Sequence, residues 1–223
     1  MRILAMADLH GSTERLRLLK GADVDVDVVA FCGDLHNLDP PDRMRPVAEA
    51  LAAFGPPVLI VPGNMDPKET APKVWKEAGL LMVHRDFRVL GNCGFIGFGG
   101  MVARDERRLS DPNRFYSSDE DVYRSLTRLW GRISGSSRRV LLTHQPPRGT
   151  RDLIYNGERG GSAGLRRFVE EAVPDLLLCG HIHEDWGEGW IGSTRVVNVG
   201  ELRKGRAAVI DLEGEISVEW IEP

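Results

Sequence analysis

Seven side chains that are able to bind a metal ion stand at or just beyond the ends of short apolar runs. They are Asp8, His10, Asp34, Asn64, His144, His181 and His183. Carboxylate and imidazole ligands without thiolates suit borderline transition ions such as Mn, Fe, Co, Ni or Zn. Seven ligands are too many for one mononuclear catalytic site, so the pattern predicts two divalent transition-metal ions. Asp34 is the natural bridging ligand because it stands alone after its run.

Two such ions are suited to the hydrolysis of a small phosphoester substrate. Ions roughly 3.5–4 Å apart bind a bridging water and lower its pKa from ~15.7 toward neutrality. The resulting hydroxide attacks phosphorus in line, while the ions neutralise charge on the phosphate oxygens. Metal-bound imidazoles also need a carboxylate or carbonyl on their second nitrogen. Glu184, Asp185 and Glu201 are candidates for that supporting role.

The runs that precede these residues indicate how the fold positions them. The five runs are 3–7, 28–33, 58–63, 140–143 and 176–180. They are rich in Val, Ile and Leu, as is typical of strands buried on both faces by helices. In a sheet of such strands, the ligand site lies beyond the carboxyl ends. We therefore expect the candidate ligands to share one rim.

Helices and loops are predicted between and after these strands. Pro67 can open a helix that runs to Ala78. The polar stretches 99–118 and 145–161 are too long for simple turns, and loops of that size are often functional. Strands are predicted at 186–191, 195–199, 207–212 and 216–221.

Length and composition are those of one soluble domain. The chain has 223 residues, of which 42% are hydrophobic and 28% charged, and we expect a single domain over 1–223. The formal charge of −4 argues against a surface that attracts nucleic acid or anionic membrane throughout. No apolar stretch approaches the roughly 18 residues that indicate a membrane span.

The cysteines and the first residues bear on cellular location. Three cysteines without a C-x-x-C spacing indicate reduced, buried thiols in a cytoplasmic protein. The chain enters its first strand directly, so we expect no signal peptide. A late exposed strand could pair in a homo-oligomer.

The motifs together resemble those of the calcineurin-like metallophosphoesterase superfamily, in the family's order and over nearly the whole chain. They are Asp8-x-His10, Gly33-Asp34, Gly63-Asn64, His144 and Gly180-His181-x-His183. The segment 143–147, followed by Gly161-Ser162, is similar to the small prokaryotic branch of phosphoesterases. The resemblance implies an α/β fold, namely a four-layer α/β/β/α sandwich of two mixed sheets with a dinuclear metal site at the strand C-terminal ends.

The resemblance also implies which residues hold each ion. For the first ion the implied ligands are Asp8, His10, Asp34 and His183. For the second ion they are Asp34, Asn64, His144 and His181. Asp34 and Asn64 are thereby implied in catalysis.

One position departs from the family pattern. Many members have a histidine after the asparagine, and that histidine contacts substrate and aids the leaving group. This chain has Met65, which can neither donate a proton nor carry charge. Our hypothesis is that His36, just after Asp34, takes over that catalytic part. Because diesters carry less negative charge than monoesters, we expect a phosphodiesterase.

Several arginines could bind the substrate. Arg148 and Arg151 follow His144 closely and are the candidate substrate-binding residues. The arginines of 99–114 fit a solvated loop, but Arg104 or Arg114 could instead attract phosphate at the mouth of the cleft.

Two other functions are compatible with the same motifs. Some proteins of this fold are partner-binding scaffolds that have lost metal histidines, whereas this chain retains all seven ligands. A nuclease is the other alternative, although nucleases of the family usually carry extra domains for DNA. We therefore expect a cytoplasmic, metal-dependent phosphoesterase.

Overall fold

The computed structural model describes residues 1–21 and 24–221, in which strands and helices alternate over most of the chain. The strands are β1 (Arg2–Met6), β2 (Val28–Phe31), β3 (Val58–Ile60), β4 (Leu81–Met82), β5 (Asp86–Leu90), β6 (Cys93–Phe98), β7 (Met101–Val102), β8 (Tyr116–Ser117), β9 (Arg138–Thr143), β10 (Leu176–Cys179), β11 (Gly187–Ile191), β12 (Thr194–Asn198), β13 (Ala207–Asp211) and β14 (Ser217–Ile221). The helices are α1 (Thr13–Gly21), α2 (Pro41–Ala52), α3 (Ala71–Glu77), α4 (Glu106–Leu109), α5 (Asp119–Trp130) and α6 (Ala163–Ala172). None of the helices in these residues is long and apolar enough to cross a membrane.

Two mixed sheets of six strands each form the centre of the fold. The first has the order β14-β13-β1-β2-β3-β4, and the second has the order β11-β12-β10-β9-β6-β5. Strands β1 to β4 run parallel, whereas β13 joins β1 antiparallel. In the second sheet β12, β10, β9 and β6 run parallel, and both edge strands are antiparallel to their neighbours. The parallel strands of each sheet therefore end at one rim.

Alternating side chains of the strands divide the core into layers. In β1, Ile3 and Ala5 lie in the apolar cluster between the two sheets. Leu4 and Met6, which point the other way, pack with residues of α1, α2 and α3. A third cluster joins the outer face of the second sheet to α5 and α6. The predicted four-layer α/β/β/α sandwich is thus confirmed.

The segments between strands differ from the prediction in two places. The helix predicted from Pro67 begins at Ala71 instead. Residues 68–70 form a turn, and the Lys68 amide donates to the Asn113 carbonyl (3.0 Å). The polar stretch 99–118 contains β7, α4 and β8 rather than one open loop. The predicted late strands correspond to β11–β14.

Candidate metal centre

Asp8 and His10 follow β1 in a backbone loop of unusual shape. Both have left-handed backbone, with φ of 55° and 52°, a region that non-glycine residues rarely adopt. Hydrogen bonds hold this loop to the one after β2, because the Asp8 amide donates to the Gly33 carbonyl (3.0 Å) and the His10 amide to the Asp34 carbonyl (3.1 Å). Asp34 is also left-handed, with φ of 55°. The two loops therefore fix each other's side chains.

Glycines stand where the candidate ligands approach the backbone most closely. A Cβ atom at Gly63 would lie 1.9 Å from Asp34 Oδ1, and one at Gly180 would lie 2.4 Å from Asp8 Oδ2. At Gly33 it would lie 2.5 Å from His144 Nδ1. Any side chain at these three positions would displace a candidate ligand. Close approach explains Gly63 and Gly180, and at Gly33 a φ of 91° favours glycine as well.

The candidate ligands form a buried floor and a partly exposed rim. Asp8, Asp34 and His144 are buried, with at most 3% of their surface exposed. His10, Asn64, His181 and His183 are partly exposed around them. The arrangement is a pocket whose deepest groups are two carboxylates.

Asp8, His10 and His183 form one group whose ligand atoms lie within 4.8 Å of one another. His183 Nε2 lies 3.2 Å from Asp8 Oδ1, and His10 Nε2 lies 4.0 Å from the same oxygen. These three residues belong to the set implied for the first ion.

Asp8, Asp34 and His144 form a second group of the same kind. His144 Nε2 lies 3.5 Å from Asp34 Oδ2 and 3.1 Å from Asn64 Oδ1. The His181 ring lies beside that of His144, with centroids 4.8 Å apart. The carboxylate common to both groups is that of Asp8, so a bridging role for Asp34 stays a prediction.

The buried carboxylates dominate the electrostatics of the pocket. Although burial alone acts in the opposite direction, the charges of Asp34 and Asp8 raise the pKa of His144 to about 9. Burial and the His144 charge lower the pKa of His181 to about 4. Burial raises the pKa of Asp34, but the charge of His144 and its hydrogen bond outweigh that effect and lower it. The negative charges of Asp34 and Asp8 thus favour a cation close to them.

The donor set fits transition-metal ions. Asp8 Oδ1 is buried and accepts no hydrogen bond from the described residues, which leaves a lone pair for a metal. His144 Nδ1 lies 2.8 Å from the Cys32 carbonyl oxygen, so Nδ1 carries the proton and Nε2 is free to ligate. Oxygen and imidazole donors are those that Mn, Fe, Co, Ni or Zn accept. The metal identity is not fixed by this set.

Comparison with known proteins identifies the family. The model of the calcineurin-like phosphoesterase family matches residues 1–185. The chain belongs to this family. Membership makes it a metal-dependent phosphoesterase, a hydrolase that acts on phosphate esters.

Similar proteins cover nearly the full chain. The uncharacterized protein MJ1162 of Methanocaldococcus jannaschii is 29% identical over 206 residues, which cover 89% of this chain and 87% of that protein. The crystal structure of TT1561 from Thermus thermophilus matches with a TM-score of 0.79 at 20% identity, over 98% and 97% of the two chains. A dimetal phosphatase from Danio rerio matches with a TM-score of 0.63 at 13% identity, over 100% and 96%. The two structures share the fold.

Glu201 is the supporting acid that the geometry favours among the three candidates. Its Oε2 lies 3.4 Å from His183 Nδ1 and 2.8 Å from Lys204 Nζ, so the carboxylate lies between the ammonium and an imidazole whose Nε2 faces Asp8. Glu184 is exposed, and Asp185 instead pairs with Arg151. Glu201 lies beyond the 185 residues that match the family model.

Asp66 is a part of the centre that sequence reasoning missed as a functional residue. Its fully buried carboxylate accepts the backbone N–H groups of Asp34 (2.9 Å), His36 (2.9 Å) and Gly63 (2.8 Å). Burial, together with the Asp34 charge, raises the pKa of Asp66 to about 7. The side chain ties the loop after β2 to the loop after β3. The tetrapeptide 63–66 was the available signal, but burial of its last residue cannot be inferred from the sequence.

His36 is buried in the core against Trp75. Its ring is fully buried, and Nε2 accepts a hydrogen bond from Trp75 Nε1 (3.0 Å). Burial lowers the pKa of His36 to about 4. This environment favours a structural role over contact with substrate.

The two arginines predicted to bind substrate have different surroundings. Arg148 is exposed and lines a cleft of about 360 Å³ together with Arg104, Gln145 and Arg159. Arg151 is half-buried, and its guanidinium pairs with Asp185 (3.2 Å). Arg148 is therefore the more available of the two for a ligand.

The contact between Glu201 and His183 generates a test. We predict that Glu201→Gln weakens metal binding roughly 10–100-fold, because the His183 imidazole loses a charged partner that orients it. Affinity is measured by competition with a chromogenic chelator. The matched control is Glu184→Gln, an exposed acid one residue from His183. Equal affinities for the two variants and the wild type would contradict the assignment.

Proposed function

We propose that this chain hydrolyses phosphodiesters with two divalent transition-metal ions. The main support for this proposal is that the candidate ligands converge around the buried carboxylates of Asp8 and Asp34. Asp8 Oδ1, without a hydrogen-bond donor among the described residues, supports metal ligation in particular.

The proposed ligand sets are those implied by the family. They are Asp8, His10, Asp34 and His183 for one ion, and Asp34, Asn64, His144 and His181 for the other. When bound, such ions would activate water as a nucleophile and neutralise charge on the phosphate oxygens. The chain's own part is orientation: the Cys32 carbonyl holds His144, and Glu201 holds His183.

Met65 supports diesters over monoesters. Its side chain is half-buried next to Asn64, at the position where the family pattern described above has a histidine. A thioether supplies neither positive charge nor a proton. A monoester carries the larger negative charge and therefore depends more on such a group. A diester carries less charge and depends less on it.

A phosphodiesterase assay tests the proposal. We expect the purified protein to hydrolyse bis-p-nitrophenyl phosphate when Mn²⁺ or Ni²⁺ is added, and to lose activity with a chelator. Asp8→Ala and His144→Ala should each lose more than the roughly 10–100-fold that removal of a supporting residue causes. Glu184→Gln serves as the exposed-acid control.

The same preparation distinguishes an enzyme from a metal-free scaffold of this fold. Elemental analysis should find about two ions per chain, as the dinuclear proposal requires. Less than one ion per chain, together with no ester hydrolysis, would refute the proposal and favour the scaffold.

The cleft beside Arg148 supports a place for the second ester group of a diester. The cleft follows His144 directly in sequence through Gln145, and Met101 and Val102 add apolar surface to it. Among the residues that the structure describes, Arg148 Nη1 makes one long contact, with the Arg159 carbonyl (3.5 Å). We therefore infer that Arg148 contacts the substrate, while Arg151 supports the loop.

Kinetics of an arginine variant test this inference. Arg148→Ala should raise KM for a diester roughly two- to fivefold with kcat retained, since an exposed ion pair contributes up to about 1 kcal/mol. Arg128→Ala, an exposed arginine on α5, is the control. If KM of Arg148→Ala equals that of the control, the cleft does not bind the substrate through this residue.

We expect His36 to stabilise the fold and not to take part in catalysis. His36→Ala should cost roughly 2–4 kcal/mol in unfolding free energy, because it leaves a cavity and removes the acceptor for Trp75. His36→Gln, which keeps an acceptor, should retain kcat/KM within about twofold of the wild type. A large loss of kcat/KM in a folded, fully metallated His36→Gln would restore the catalytic hypothesis.

The cysteines support the predicted cytoplasmic location. Cys32, Cys93 and Cys179 are buried and form no disulfide. Reduced thiols are typical of a reducing compartment. The location itself stays a prediction.

A further inference from the structure

Arg114 reaches the metal centre from a different segment of the chain. Its Nη1 donates to the Asn64 carbonyl (3.1 Å) and lies 2.9 Å from Met65 Sδ. Asn64 is a proposed metal ligand, and Met65 occupies the position where the family pattern described above has a histidine. The guanidinium therefore lies against the side chain that stands in place of that histidine.

The segment that carries Arg114 is fixed against the end of β3. Asn113 accepts the Lys68 amide (3.0 Å), and Phe115 is buried. The Gly100 amide donates to the Pro62 carbonyl (2.6 Å), and a Cβ at Gly100 would lie 2.0 Å from the Phe115 carbonyl oxygen. Arg114 is thus anchored on both sides and needs little ordering to bind a ligand.

The charge of Arg114 has no counter-ion in the part of the chain that the structure describes. Arg151 and Arg159 pair with Asp185 and Asp152, whereas no ion pair includes Arg114. Its Nε and Nη2 have no acceptor among the same residues, and the side chain is half-buried. A partly desolvated guanidinium with free donors is suited to a phosphate oxygen.

We propose that Arg114 binds a non-bridging phosphate oxygen of the substrate and supplies the positive charge that Met65 cannot. This inference rests on the proposed function and adds a specificity to it. A guanidinium does not release a proton in proteins, so it stabilises the phosphoryl group without protonating the leaving group. The favoured substrates are diesters of acidic alcohols or phenols.

The reaction balances without an acid at residue 65. The oxygen of water forms a bond to phosphorus, and its proton passes to solvent. The ester P–O bond breaks with its electron pair on the departing oxygen. That oxygen takes a proton from solvent or leaves as the phenolate. Arg114 keeps all its protons throughout.

Binding of inorganic phosphate to the Mn²⁺-loaded protein tests the proposal apart from activity. By calorimetry we expect Arg114→Ala to bind phosphate about tenfold more weakly than the wild type, a change of about 1.4 kcal/mol. Arg114→Lys should recover part of the lost phosphate affinity, because lysine keeps the positive charge but lacks the paired N–H donors of the guanidinium. Arg107→Ala, an exposed arginine of the same segment, should bind as the wild type does.

Metal content and melting temperature separate substrate binding from a structural role. If Arg114 only supported Asn64, Arg114→Ala would lose metal or melt lower, and phosphate affinity would recover once metal was saturating. Equal phosphate affinity of Arg114→Ala and Arg107→Ala at full metal content overturns the proposal. Failure of the wild type to bind phosphate also overturns it.

A series of aryl diesters tests the predicted specificity. For the wild type, log kcat/KM should fall steeply with leaving-group pKa, and Arg114→Ala should give a parallel, lower line. Met65→His should flatten the dependence by supplying an acid. If kcat/KM of the wild type does not change with leaving-group pKa, the predicted preference for acidic leaving groups is wrong. Absence of any metal-dependent hydrolysis would refute the proposed phosphodiesterase instead, while the phosphate titration still decides the role of Arg114.

Discussion

The structure of the centre depends on one constraint, which is that two carboxylates are buried close together. Asp8 and Asp34 are almost completely shielded from water, and a buried charge is costly unless it is paired or bound to metal. The backbone N–H groups of Met65 and His181, which donate to Asp34 and Asp8, offset part of that cost. A pair of cations would offset the remainder. Two sheets with buried parallel strands provide a rim from which several such offsetting groups can reach one point.

The backbone at the centre is strained in support of this arrangement. Asp8, His10, Asp34 and His181 all have positive φ, which costs an ordinary residue about 1–2 kcal/mol. Surrounding hydrogen bonds hold them there, and one comes from the His181 amide to Asp8 Oδ2 (2.8 Å). Strain of this kind concentrates at functional sites, because the conformation that aims a ligand is seldom the one that the chain prefers.

Much of the fold was predictable because periodicity and strand ends are local signals. The shared rim follows from apolar runs that each stop at a candidate ligand, whereas the four layers were implied by the resemblance to the family. What could not be predicted depends on contacts between distant segments. The position of His36 beside Asp34 suggests a catalytic role, but its ring lies under Trp75, 39 residues away. Likewise, the link between Glu201 and His183 requires β12 to pair in parallel with β10, so that the residues following the two strands lie side by side.

At Met65 the chain lacks the histidine of the family pattern but keeps all seven candidate metal ligands. A histidine there combines charge and acidity in one side chain, whereas a methionine has neither. An arginine anchored 49 residues along the chain, with Nη1 2.9 Å from the sulfur, can return the charge but not the proton. Ester hydrolysis that requires only a positive charge at this position would still proceed with Met65 and Arg114. Hydrolysis that requires a proton donor there would not. Methionine at position 65 would therefore narrow the range of esters that the protein hydrolyses, while the metal ligands stay the same.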